Sequence, residues 1–293
     1  MNFGLVLPNY GPQASRYAII DSALVAENYG FESIWLTDHL ALPEKDGELF
    51  GHIYESITTM SFLAASTRKI KLGLSTLVLP QRNPLEIAKS IATLDNLSNG
   101  RIIISAGIGW SEGEYKNLGY EFQNRGKRMD EAIKILRSCW RGKKIVDFKG
   151  EYYNFENLVF SPPPVQSGGP PLWIAGDSLA SLSRAISLGD GWHPNAHSPE
   201  ELEDALKKFK SIIQMRPFTI AVRIGIDLIS GNNEQNSSVI SGNSNEIIDE
   251  LKKYQKAGMN YAIVNFKANS QAERERSIKQ FSQDIAPAIT ENL

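Results

Sequence analysis

The stretch KIKLGLSTLVLPQRNPLEIAKSIATLDNLSNGRIIISAG, Lys69 to Gly107, decides the fold. Its opening, KIKLGLST, is a short apolar run of the kind that forms a buried strand. Asn83 before Pro84 starts a helix: the asparagine side chain accepts from free first-turn amides, and proline has no amide there to leave unpaired. Ile87, Ile91 and Leu94 fall on one face of that helix. Asn99-Gly100 makes the turn out, and RIIISAG is a second strand. Strand, helix and strand in succession form the unit from which parallel sheets are built.

The same unit repeats outward in both directions. Upstream stand NFGLVLP, then a helix that Gly30 stops, then FESIWLT with the helix of YESITTMSFLAAST. Downstream, a helix from about Asn124 to Arg141 buries Met129, Ile133, Leu136 and Trp140. PLWIAG, DGWHP, FTIAVRIGIDLIS and YAIVNF follow as strands, each with its helix. Ser198 and Glu201 form a capping box with Pro199 at the first helical position. Gly30, Gly189 and Gly258 each end a helix just before a strand. A final helix runs from roughly Gln271 to Ile289. Eight strand and helix pairs predict an α/β fold, a closed (β/α)8 TIM barrel, in preference to an open doubly wound sheet. The alternation breaks once, over residues 143–171. Period-two patterning around Lys149-Gly150 reads there as a hairpin, and three prolines with Gly168-Gly169 as an extended connector. This is an insertion after the fourth helix of a single domain spanning residues 1–293.

Composition narrows the function. With 42% hydrophobic residues and a formal net charge of −2, the chain lacks the basic footprint of a nucleic-acid binder, so small molecules are the expected partners. No apolar run approaches the ~20 residues of a membrane helix, and FGLVLP lacks the basic start of a secretory signal. The expected location is cytoplasmic. The single cysteine, Cys139, lies on a helical segment and reads as core packing.

A barrel carries its site at the carboxyl ends of its strands. Those ends hold Thr37-Asp38-His39, the segment after KLGLST, AGIGW, AGDS and GWHPNAH. Gly107, Gly109 and Gly176 let backbone approach a phosphate or a flat ring, and Ser178 stands at a helix start. His39 has the side chain suited to moving a proton near neutrality. As an isolated dipeptide, Asp38-His39 equally suits a turn cap and a solvated loop residue. His193 and His197 are four apart, but Pro194 and Asn195 between them oppose a metal-binding helix, and no metal is expected. Trp110 and Trp192 suit either a pocket wall or packing. Glu112 and Glu114 read as a solvated pair at a helix start. Pro43 to Tyr54 and Gly231 to Gly242 are polar segments expected to meet substrate.

Taken in order, AENYGFESIWLTDHL, the Lys71–Gly119 region, RGKRMDEAIKILRSCW, the Pro162–Pro194 region and KKYQKAGMNYAIV resemble the bacterial luciferase-like monooxygenase superfamily, especially its coenzyme F420-dependent oxidoreductase branch. The resemblance implies a barrel, usually a homodimer, with a flavin or deazaflavin ring across its mouth. It implies a non-proline cis bond at Ser75-Thr76 behind the ring, and Asp38 at the ring's polar atoms. Gly107, Gly109, Ala175, Gly176 and Asp177 would line the phosphate tail, and His39 would be the catalytic acid or base. Two positions depart from the pattern. Trp110 stands where the sugar-phosphate dehydrogenases carry a glutamate, and Asp177 stands where relatives often have glycine or serine. The implied activity is hydride transfer between F420 and a small organic substrate. The alternatives are an FMN-dependent two-component monooxygenase using oxygen and fed by a reductase partner, and a non-catalytic flavin-binding barrel.

Overall fold

The computed structural model describes residues 1–195, 197–213, 215–228 and 239–290. Eleven strands occur among these residues. They are β1 (Asn2–Val6), β2 (Ser33–Leu36), β3 (Lys71–Val78), β4 (Ile102–Gly107), β5 (Ile145–Lys149), β6 (Asn154–Val159), β7 (Leu172–Ala175), β8 (Gly191–His193), β9 (Thr219–Asp227), β10 (Val239–Ser241) and β11 (Tyr261–Phe266). Eight of them run in the parallel order β1-β2-β3-β4-β7-β8-β9-β11. Pairing of β11 with β1, Tyr261 opposite Asn2, and of β8 with β9, Gly191 opposite Thr219, closes the ring. The chain is thus a (β/α)8 barrel.

The strands are buried on both faces, which is why they read as continuous apolar runs and not as alternating ones. Outward-facing Leu5, Ile34, Leu72, Ile104 and Ile174 pack under the helices. Inward-facing Trp35, Trp173 and Tyr261 fill the barrel. Trp35 stacks on Trp173 with ring centroids 5.1 Å apart, and Tyr261 meets Trp173 edge-on at 5.0 Å. The Trp35 indole N–H donates to Ser33 Oγ, which is 2.6 Å from the Tyr261 hydroxyl. Room for this aromatic plug comes from glycine on both neighbouring strands: a Cβ on Gly4 or Gly73 would fall on the Trp35 ring.

The helices begin as their caps predict. Asn83 Oδ1 accepts from Leu85 N, and Ser198 with Glu201 closes a full capping box. Gly30 and Gly258 leave their helices with φ of 77° and 114°, the left-handed region that favours glycine. Gly189 differs: its φ is −106°, and it is glycine because a Cβ would sit 3.0 Å from Leu172 O. The expected last helix is one helix only to Gln280. A π turn over Phe281–Ile285 then widens it, seating the Phe281 ring on Phe3, Phe31 and Phe266.

Within the insertion, β5 and β6 pair antiparallel, as the period-two pattern requires. The connector is tied down by Asp95, whose carboxylate accepts from the backbone and side-chain amides of Gln166 at 2.9 and 2.7 Å. Cys139 is fully buried, and burial pushes its thiol up to about 11, so it packs and does not react.

Candidate active site

The carboxyl ends of the strands converge on a mouth held by side chains that reach between loops. Asn9, after β1, bonds the backbone beyond β2 in both senses: its Nδ2 donates to Thr37 O at 2.8 Å, and Thr37 N donates to its Oδ1 at 3.0 Å. That pair of hydrogen bonds ties the two loops together where Asp38 and His39 leave β2.

The two residues then part. Asp38 turns inward and is buried. Its Oδ2 accepts from Val78 N at 3.0 Å, and its Oδ1 accepts from Ser56 Oγ at 2.7 Å and pairs with the Arg82 guanidinium. Arg82 also reaches Glu55 at 3.2 Å, so the carboxylate is anchored to the end of β3. His39 turns toward the loop after β4. Its Nδ1 lies 2.9 Å from Glu114 Oε2, and its ring packs against Phe50 at 5.0 Å and edge-on to Trp110 at 5.6 Å. Trp110 is half exposed and walls the mouth; Trp192 is fully buried and donates to Gly176 O, a packing role.

Glu114 corrects the sequence reading. Glu112 is exposed, but Glu114, expected to be solvated beside it, is completely buried. Ser111 caps the short helix Glu112–Asn117, accepting from Glu114 N at 3.1 Å, and this aims the glutamate side chain back at the loop after β2. Burial alone would raise its carboxyl. The His39 contact, with the Leu40 and Ala41 amides, outweighs burial and brings it down to about 2. The serine three residues ahead of Glu114 was the one local sign that this residue points somewhere fixed.

At the end of β3 the Ser75–Thr76 bond is cis, where the resemblance placed it, and the β3–β4 register shifts there. Ser75 Oγ lies 3.2 Å from His193 Nε2, and Ser75 O accepts from Arg223 Nη1 at 3.0 Å. Arg223 also donates to the Tyr10 hydroxyl at 3.1 Å and to Thr37 Oγ1. Burial and the nearby Arg223 charge pull the His193 imidazole from 6.5 down to about 3, so it is neutral in the physiological range. His193 and His197 do not converge: His197 faces Asp177 at 3.4 Å. Among the described residues no group of three His, Cys, Asp or Glu side chains is placed to hold a metal.

The glycines are sterically required. A Cβ on Gly107 would come 2.7 Å from Thr76 Cγ2, and one on Gly109, whose φ is 71°, would come 2.6 Å from Val78 Cγ1. Gly176 has a φ of 127° beside Ala175, and the Asp177 carboxylate turns away to accept from Asn195 N at 2.6 Å. Gly109 lies against Tyr115, and Tyr115 lies in the field of Arg125 and Arg128 at the start of helix Arg125–Trp140. Arg128 is buried, stacks over Tyr120 at 4.3 Å and faces the Tyr153 hydroxyl, and among the described residues no carboxylate pairs with its Nε or Nη2. Buried charges are ordinarily paired. A ligand's anionic group would supply the partner. Nothing in the composition of RGKRMDE separates these arginines from an ordinary solvated helix face.

Of the segments expected to meet substrate, Pro43 to Tyr54 contains two short helical turns and carries Phe50 onto both His39 and Tyr10. Gly231 to Gly242 lies outside the described residues as far as 238; its remainder is β10 and the Gly242 turn.

The model of a family described as luciferase-like monooxygenase matches residues 1–238. An F420-dependent glucose-6-phosphate dehydrogenase of Amycolatopsis mediterranei (strain U-32) is 26% identical, the match covering 92% of this chain and 94% of that one. An FMNH2-dependent dimethylsulfone monooxygenase of Pseudomonas fluorescens (strain Pf0-1) is 27% identical over 78% of this chain and 60% of its own length. Among solved structures, an F420-dependent secondary alcohol dehydrogenase in complex with an F420-acetone adduct shares the fold, with a TM-score of 0.83, 98% of each chain covered and 19% identity.

Proposed function

Because the chain belongs to the luciferase-like monooxygenase family, we propose that it is an oxidoreductase that uses coenzyme F420 and a small organic substrate. The observation that carries this reading is the buried His39–Glu114 pair at the barrel mouth, in a chain similar over nearly its whole length to an F420-dependent dehydrogenase. When bound, the deazaflavin supplies hydride transfer. The chain's own residues orient, exclude water and move the proton.

The residues at the mouth fit such a group. Gly107, Gly109 and Gly176 present backbone without side chains at the carboxyl ends of β4 and β7, and the buried Arg128 guanidinium suits an anionic tail. In this reading Ser75, Thr76 and Asp38 shape the bed of the ring, Asp38 through the Val78 amide and Arg82. Ala175 and Asp177 flank the tail at Gly176. His39 gives or takes a proton at Nε2, with Phe50 and Trp110 keeping water from it. The same reading makes the enzyme a cytoplasmic homodimer. Trp110 in place of a glutamate argues for a substrate other than a sugar phosphate.

A second reading, an FMN-dependent monooxygenase fed by a reductase, is favoured by the likeness to the dimethylsulfone enzyme. Titration of the purified protein with F420 and with FMN, followed by absorbance and fluorescence, separates the two. Saturable F420 binding is the expected result. Tight FMN binding with no response to F420 would replace the first reading with the second.

A further inference from the structure

The Glu114 carboxylate accepts three hydrogen bonds and faces a fourth polar atom, a ring nitrogen of His39. Oε1 receives the backbone amides of Leu40 at 2.6 Å and Ala41 at 3.1 Å, and Oε2 receives Gln81 Nε2 at 3.2 Å and faces His39 Nδ1 at 2.9 Å. Backbone N–H groups only donate, so Oε1 is an acceptor in every state of the site. The carboxylate is fully buried, and among the described residues no lysine or arginine pairs with it. A buried charge in this position is retained only if its neighbours are donors. His39 must therefore carry its proton on Nδ1. Its other nitrogen, Nε2, makes no hydrogen bond among the described residues.

We propose that Glu114 is the positioning residue that sets the tautomer of His39, holding the proton on Nδ1 so that Nε2 presents a lone pair to a substrate or receives a proton there. Glu114 lies beyond β4 and His39 beyond β2, with β3 between the two strands, so the tautomer is imposed from two strands away. Protonation at Nε2 produces an imidazolium whose charge already faces the carboxylate, with no rearrangement of either loop. The catalytic part of this inference rests on the function proposed above; the tautomer does not.

The Glu114→Gln substitution makes the inference specific. A carboxamide has one accepting oxygen, and the fixed Leu40 and Ala41 amides claim it. The NH2 group then faces His39 Nδ1, which must become an acceptor, and the proton moves to Nε2. Gln81 Oε1, buried and unpartnered, can turn to receive the other amide hydrogen. E114Q thus reverses the tautomer while nearly preserving volume.

The test is long-range 1H–15N correlation of the His39 ring in 15N-labelled protein without cofactor. The expected spectra show a protonated Nδ1 with a bare Nε2 in the native chain, and the reverse in E114Q. E114D, which keeps an accepting carboxylate, is expected to retain the native pattern and serves if E114Q folds poorly. A protonated Nε2 in the native neutral ring, or an unchanged tautomer in folded E114Q, would overturn the assignment. With cofactor and substrate, E114Q is expected to lose ~10²-fold or more in turnover at nearly unchanged cofactor affinity. A reversed tautomer with full turnover would sustain the Glu114 assignment and overturn the proton role of His39 instead.

Discussion

Acidification should expose His193 before it reaches any carboxylate. In the native chain this imidazole is buried beside Arg223 and is held down to about 3 from an ordinary 6.5. Below pH 6.5 the unfolded chain therefore binds a proton that the native state refuses. The stabilisation is complete above 6.5 and is lost as pH falls toward 3. One proton per unfolding event costs ~1.4 kcal/mol per pH unit, so roughly 2 kcal/mol is lost between pH 6.5 and 5, and about 5 kcal/mol over the whole interval. Unfolded carboxylates titrate mainly below ~4.5, which leaves the range from 7 to 5 to the histidines. His193→Gln keeps a hydrogen-bonding group near Ser75 but cannot titrate. Urea unfolding at pH 7, 6 and 5 should give a native chain whose stability falls with acid about one proton more steeply than that of H193Q. The His193 ring resonances should also remain those of the neutral form at pH 5. Equal slopes for the two proteins, or a ring that protonates near pH 6, would refute the reasoning.

Three further outcomes are expected. Gly73→Ala places a methyl on the Trp35 ring and should destabilise the barrel by ~1–3 kcal/mol, with Trp35→Phe in the same chain recovering part of the loss in thermal unfolding. Additive effects of the pair would show that the two residues do not compete for space. His39→Ala should slow turnover ~10²-fold or more with cofactor affinity nearly intact; unchanged turnover would make His39 a loop residue. Arg128→Met should weaken binding of a phosphate-bearing cofactor by about 10–100-fold, the worth of one or two charge-assisted hydrogen bonds, without altering the far-ultraviolet spectrum. Unchanged affinity would mean that the guanidinium faces no ligand.

The barrel was legible because its signals are local and repeated. Asn83-Pro84, Ser198-Pro199 and Gly258 act within a turn of themselves, and the doubly buried strands announce their burial by composition. Side-chain direction at the site was legible in part. Ser75-Thr76 was reached by resemblance, and the glycines by their place at the strand ends. Glu114 was misread because its burial depends on His39, 75 positions away, and no periodicity encodes that meeting. Arg128 was overlooked for a like reason: what covers it is Tyr120 and Tyr153, and Tyr153 belongs to the inserted hairpin segment. The four-residue spacing of His193 and His197 separates a buried neutral ring from one paired with Asp177, a difference set by the loop after β8.

The stacked Trp35 and Trp173, locked by Ser33 and Tyr261, give the barrel a floor. Whatever binds at the carboxyl end therefore enters and leaves by that end alone. If a cofactor and a substrate both bind there, as proposed, the one seated deeper enters first and leaves last. Steady-state kinetics should therefore be ordered, and the shallower occupant should slow the escape of the deeper one.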